Sequence, residues 1–214
     1  MKRLVYACML TLLCMVWVSA QMVAAAVNTG EAGPMNPSLL TALRQGGYIL
    51  FVRHGEATVG EDQPNLVFGD CTTQRNLSKE GQRQAVLFGE SLRRLHIPIQ
   101  TPVMASPFCR TRETGILAFG QENVQTDYYW VKIYNLSGNV TSDERKSTLT
   151  ELTSVLEKHP ATGTNKVIIA HSFPQGLGLG EIPYMGTVIL KPKGEGRGYD
   201  VVARISLAEL SSAE

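Results

Sequence analysis

Two histidines and two arginines of this chain stand where hydrophobic runs give out. Arg53 and His54 follow the apolar run 48–52 and lead into Gly55 and Glu56. Arg110 lies just beyond the short run 102–105, and His171 directly follows the run 166–170. An imidazole is the side chain most easily used as a nucleophile or proton carrier near neutral pH. A guanidinium offers a planar fork of donors suited to a phosphate or carboxylate. Two guanidiniums can hold several oxygens of a phosphoryl group and offset its charge, and a protonated imidazole adds another donor. The remaining imidazole can attack phosphorus and carry the group covalently, dividing hydrolysis into two easier steps. Taken singly, His171 reads as a hydrogen-bonded core histidine and Arg110 as a surface helix residue. The joint pattern is what argues for a site.

Something must bring these residues together. Short apolar runs bounded by turn signals read as buried strands, here 48–53, 102–105 and 166–170. Between them lie helical patterns. Ser78 is a plausible N-cap for a helix with Ala85, Leu87, Phe88, Leu92 and Leu95 in a stripe, ended at 96–98. Further helices are expected over 110–119 and 141–157, the latter with Leu149, Leu152, Val155 and Leu156 inward. Ser38 is expected to cap a short helix that Gly46 and Gly47 end. The runs 187–190 and 201–206 suggest two antiparallel strands joined by a Gly-rich turn at 193–198. Strands alternating with helices argue for an α/β fold with a mainly parallel sheet. In such sheets ligands bind at the carboxyl ends of the strands. Arg53, His54, Arg110 and His171 are all expected at that edge.

Two stretches resist a regular assignment. The polar loop 57–76 is longer than most connections, and long loops are often functional. The segment 121–139, with Tyr128, Tyr129, Trp130 and Tyr134, reads as an extended stretch and loop that either covers the strand ends or packs at the sheet edge. Gly176, Gly178 and Gly180 imitate a phosphate loop but lack its strand–turn–helix context and spacing.

The start of the chain has the pattern of a secretory signal. Lys2 and Arg3 precede an apolar run over 4–18, and Val18-Ser19-Ala20 is a small-residue cleavage site, with a second at 24–26. The run is shorter than the roughly 20 residues of a spanning helix, so no stable membrane span is expected after cleavage. The expected organisation is a signal peptide over 1–20, a flexible leader over 21–37, and one domain over 38–214. Export to the periplasm, cell envelope or exterior follows from that reading. Without Lys2 and Arg3, 18 basic residues face 19 acidic ones. A balance near zero gives no reason to expect nucleic acid as a partner. Cys71 and Cys109 remain after cleavage. An oxidising compartment favours a disulfide between them, and the alternative is two buried thiols. Neither cysteine opens an anion loop of the kind a cysteine phosphatase uses, and two cysteines alone cannot close a structural zinc site.

The motifs have a family resemblance. Phe51-Val52-Arg53-His54-Gly55-Glu56, then Asn76-Leu77-Ser78-Lys79-Glu80-Gly81 with Gln84-Ala85, then Ala105-Ser106-Pro107-Phe108-Cys109-Arg110 with Thr114, then residues 167–171 resemble the histidine phosphatase superfamily, also called phosphoglycerate mutase-like. Order and spacing run from about residue 38 to the end. The resemblance implies a three-layer α/β/α sandwich with a mainly parallel sheet. It implies that His54 is the phosphorylated nucleophile and that Arg53, Arg110 and His171 bind the phosphoryl group. It implies no metal and no cofactor. The acid-phosphatase and phytase branch continues its first motif with arginine and proline and follows the second histidine with aspartate. Here Glu56-Ala57-Thr58 and Ser172 stand instead, so the chain is similar to the other branch, in its small members without a cap domain.

Two departures stand out. His171 is followed by Ser172-Phe173-Pro174 where glycine is usual. The carboxylic acid that many relatives use to protonate the leaving oxygen has no clear counterpart. Asp127, Asp143, Glu144, Glu56 and Glu181 are candidates, none in a convincing motif. The expected function is therefore an exported phosphatase acting on a small phosphorylated substrate through phosphohistidine. Without an acid, phosphohistidine and phosphoanhydrides are favoured, because their leaving groups need little protonation; an envelope phosphate is a further candidate. The alternatives are a phosphomutase and a non-catalytic module that holds phosphorylated ligands in the cell envelope. The loop 57–76, the segment 121–139 and Phe173 are expected to shape specificity.

Overall fold

The computed structural model describes residues 35–214; the expected signal segment and residues 21–34 of the leader lie outside them. Strand β1 (Ile49–Arg53) shows how the sheet is built. Ile49 and Phe51 point into one apolar cluster, Leu50 and Val52 into another, and all four are buried. A strand buried on both faces must lie between two layers of helices.

The layers follow from helical stripes. On one face pack α1 (Pro37–Gln45), α2 (Lys79–Arg94), α3 (Cys109–Phe119) and α6 (Leu207–Ser212), through Leu40, Leu43, Phe88, Leu92, Ala118 and Leu210. On the other pack α4 (Tyr129–Asn135) and α5 (Ser142–Leu156), through Trp130, Ile133, Leu152 and Leu156. The sheet between them has six strands in the order β3-β2-β4-β1-β5-β6. Here β2 is Ile99–Ala105, β3 Val124–Thr126, β4 Asn165–Ala170, β5 Thr187–Pro192 and β6 Tyr199–Ile205. The first four in that order pair in parallel; β5 and β6 close one edge antiparallel. The mainly parallel α/β/α sandwich is thus the fold of this chain.

The ends of α2 and α5 follow local sequence. The Ser78 hydroxyl accepts from the Gly81 N–H, and Thr141 and Glu144 form a reciprocal capping box. Ser38 is not the cap of α1. That role falls to Asn36, whose side chain accepts from the Ser38 N–H, because Pro37 takes the first helical position. The aromatic stretch 121–139 is not mainly loop. It forms β3 and α4, with Trp130 and Ile133 buried three residues apart and the Asp127 carboxylate accepting from the Tyr129 N–H. Phe173 does not line a pocket: it is buried against Phe51, ring centroids 5.4 Å apart, in the cluster beneath α4 and α5.

Candidate active site

Strands β2, β4 and β1 are adjacent, and their carboxyl ends carry the three motifs. The backbone fixes the junctions. The His54 N–H donates to the Ala170 carbonyl at 3.1 Å, and the Ser106 N–H to the Ile169 carbonyl at 3.0 Å. His54 and His171 therefore sit side by side, ring centroids 5.4 Å apart and nearly perpendicular.

His54 is buried, and its Nδ1 lies 2.7 Å from the Gly55 carbonyl. A carbonyl only accepts, so Nδ1 carries the hydrogen and Nε2 keeps its lone pair. Burial, then the charge of Arg110, holds this imidazole well below its ordinary value. A neutral ring with a fixed tautomer is the form that can attack phosphorus. His171 is held low by burial and then by His54 and Arg110. Its Nε2 lies 3.1 Å from the buried Ser106 hydroxyl, and its ring packs edge-on against Phe108 and Tyr134.

Arg53 donates through Nη1 to the Ile182 carbonyl, and its guanidinium lies 4.0 Å over the Tyr184 ring. Arg110, at the start of α3, is 1% exposed. Its two terminal nitrogens grip the Asp62 carboxylate at 2.8 and 3.0 Å, while Nη1 also donates to the Arg75 carbonyl. Asp62 accepts two further hydrogen bonds, from the Arg75 N–H and the Tyr134 hydroxyl. Burial alone would raise the Asp62 carboxyl, but these bonds and the Arg110 charge hold it below the usual carboxylate range. Burial and Asp62 push the Tyr134 phenol up. Asp62 and Arg75 both come from the loop 57–76, and sequence reasoning missed both. The length of that loop was the available signal.

Close contacts lock the frame. A Cβ on Gly55 would stand 2.5 Å from the Gly81 carbonyl oxygen, and one on Gly81 would run into the Glu56 carbonyl. Only glycine lets the His54 turn and the start of α2 approach so closely. The Thr114 hydroxyl accepts from the Gly55 N–H and donates to the Arg110 carbonyl, joining the nucleophile turn to α3. Glu56 is drawn into the same frame: its N–H donates to Gln84 and its carboxylate accepts from the Ser78 hydroxyl at 2.6 Å. Cys71 and Cys109 form a disulfide, Cα–Cα 5.7 Å. Beside it the Gln74 side-chain oxygen accepts from the Cys109 N–H. Together they hold the loop 57–76 to the start of α3.

The remaining acid candidates stand elsewhere. Asp127 is occupied at the start of α4, Asp143 and Glu144 are exposed on α5, and Glu181 is exposed. Glu56 lines a cavity of about 750 Å³ together with Thr58, Val59, Arg75, Ser78 and Tyr184. Gly176, Gly178 and Gly180 take positive φ in tight turns. Among the described residues no cluster of three or more His, Cys, Asp or Glu could hold a metal, and no helix is long and apolar enough to cross a membrane.

Comparison with known proteins agrees with this geometry. Residues 49–129 match the model of the histidine phosphatase superfamily (branch 1). No curated protein matches the chain in sequence. Among solved structures, a mycobacterial glucosyl-3-phosphoglycerate phosphatase with inorganic phosphate is similar at TM-score 0.51 and 14% identity, over 76% of this chain and 99% of that one. A candidate α-ribazole-5′-P phosphatase from Escherichia coli is similar at TM-score 0.51 and 11% identity, over 76% and 98%. The protein histidine phosphatase SixA complexed with tungstate is also similar, at TM-score 0.47 and 14% identity, over 76% and 99%. The motif segment and the fold together make this chain a member of the histidine phosphatase superfamily, branch 1.

Proposed function

We propose that this protein is an exported phosphatase that hydrolyses a phosphomonoester or related phosphoryl compound through phosphohistidine at His54. The observation that carries the reading is His54 itself: neutral, its Nδ1–H held by Gly55, and flanked by Arg53, Arg110 and His171. In the first step the Nε2 lone pair attacks phosphorus, a P–N bond forms and the bond to the leaving oxygen breaks. Water then attacks phosphorus, the P–N bond breaks and orthophosphate leaves. The guanidiniums stabilise charge on the phosphoryl oxygens in both steps. None of these groups needs a metal to act.

The leaving oxygen must take up a proton or be stable without one. Arg110 holds Asp62 ionised, and Glu56 is tied to Ser78, so neither is poised as a donor. Substrates with good leaving groups, such as phosphohistidine or a phosphoanhydride, fit this site best. Export is supported by the signal-like pattern over 1–20 and by the disulfide, since such bonds persist in oxidising compartments.

The decisive test is chemical trapping. Rapid quench of the enzyme with a labelled aryl phosphate should give an acid-labile protein adduct, absent in His54→Ala. An adduct that persists in His54→Ala removes the nucleophile assignment. A rate independent of leaving-group pKa removes the claim about the acid.

A further inference from the structure

Two side-chain nitrogens in the site have no acceptor within the protein although both are buried: Nε of Arg110 and Nε of Arg75. Their positions are linked. Arg75 donates its N–H to the same Asp62 carboxylate that Arg110 grips, and its carbonyl accepts from Arg110 Nη1. The far end of the Arg75 side chain makes only one long contact, 3.5 Å to the Gly60 carbonyl. Among the described residues Arg75 forms no ion pair. It lines the cavity that also touches Tyr184, and Tyr184 stacks on Arg53 and lies 5.7 Å from the His54 ring.

A buried donor without an acceptor is costly, so a buried guanidinium edge facing a cavity indicates a ligand acceptor. For Arg110 the geometry is explicit. Asp62 occupies the end of the fork, which leaves the side edge, Nε with Nη2, for an oxyanion. Arg53 likewise commits only Nη1, to the Ile182 carbonyl. Charge points the same way. Three guanidiniums against one carboxylate leave a net charge of two, with both imidazoles neutral. That balances a phosphoryl dianion.

We propose that Arg75 is a third phosphoryl-binding, catalytic arginine, held in register with Arg110 by Asp62, so that each equatorial oxygen of the transferring group meets one guanidinium. This rests on the phosphatase reading above and extends it to a residue outside the four strand-end groups. In transfer the charge spreads over three equatorial oxygens, so a third donor acts on the transition state as well as on bound phosphate. The charge of Arg75 also reaches both histidines, helping to keep them neutral.

The test uses ligands with nothing beyond the phosphoryl group. Calorimetry should show inorganic phosphate at pH 8 binding Arg75→Gln roughly 10–100-fold more weakly than wild type. Turnover of a small aryl phosphate should fall about 100-fold in kcat/KM, mostly in kcat. Arg75→Lys should recover part of both. Melting temperature checks the fold, since the backbone bonds of Arg75 to Asp62 and Arg110 survive the substitution. Unchanged phosphate affinity with unchanged kcat overturns the proposal, as does a loss that tracks only a lower melting temperature. The calorimetric arm separates the two claims. Wild-type phosphate binding that depends on Arg75 without turnover refutes the enzyme and leaves the third arginine standing. A wild type that binds no phosphate refutes both.

Discussion

The carboxylate of Asp62 and the guanidinium of Arg110 meet end to end, two hydrogen bonds at 2.8 and 3.0 Å, with Arg110 buried and the Asp62 side chain 9% exposed. Arg110 is thus a phosphate-binding arginine with a protein counter-ion that leaves its other edge open. The pair orients the arginine, and removing the carboxylate frees it to rotate.

For Asp62→Ala we expect a stability loss of about 2–3 kcal/mol. That is below the ~3–5 kcal/mol for breaking a fully buried pair, because Asp62 lies nearer to solvent than Arg110. In the folded fraction kcat/KM for an aryl phosphate should fall about 10–100-fold, with a higher KM. Urea unfolding and steady-state kinetics check both. A variant with unchanged KM and kcat would show that Arg110 needs no such partner.

Thr114 links the nucleophile turn to α3 through one hydroxyl. Thr114→Val leaves the buried Gly55 N–H without an acceptor, at about 1–3 kcal/mol, and should lower kcat more than it raises KM. Thr114→Ser keeps the hydroxyl and should recover most of the loss. Equal kinetics in the two variants would mean that the methyl group matters and the hydroxyl does not.

The Cys71–Cys109 bond closes a sequence span of 38 residues. On a chain-entropy model a loop of that size is worth about 4 kcal/mol. Dithiothreitol, or the double change Cys71→Ser with Cys109→Ser, should lower the urea midpoint accordingly. It should also raise KM by loosening the loop that carries Asp62 and Arg75. A reduced protein of unchanged midpoint would show that Gln74 and Asp62 suffice to hold the loop.

Both histidines are held below their ordinary value near 6.5 by burial, so the sign of the pH effect is set. Above pH 6.5 both states are neutral at these residues and stability is level. As pH falls below 6.5 the unfolded chain takes up protons first. Stability then declines by up to about 1.4 kcal/mol per pH unit per histidine, until the folded values are reached. Asp62, held below its unfolded value of 3.8, adds a second loss at lower pH, as pH falls through its folded value. Melting temperatures from pH 8 to 4 should show the first decline. The double change His54→Gln with His171→Gln should flatten it, and a wild-type curve level to pH 5 would contradict the burial argument.

Much of this was legible in the chain. Runs such as 48–53 and 166–170 announce strands buried on both faces, and the caps Ser78 and Thr141 are local chemistry that no tertiary contact overrides. The stripe of α5 is equally local. The expectation failed where contacts are long-range. Asp62 lies in an irregular loop 48 residues from Arg110, and nothing in its neighbours announces the pairing. α4 was hidden because Trp130 and Ile133 read as helical only once the sheet face they cover is known. Phe173, next to His171 in sequence, belongs to the core because the chain turns away immediately after the site.

The loop 57–76 carries both a cavity wall and the counter-ion of Arg110. Change of substrate and retention of catalysis are therefore not independent for this chain. A homologous loop grafted in to accept a different leaving group would also remove Asp62, Gln74 and Arg75. Evolution of new specificity is thus confined to the loop positions between those anchors, or to the opposite wall at Tyr184.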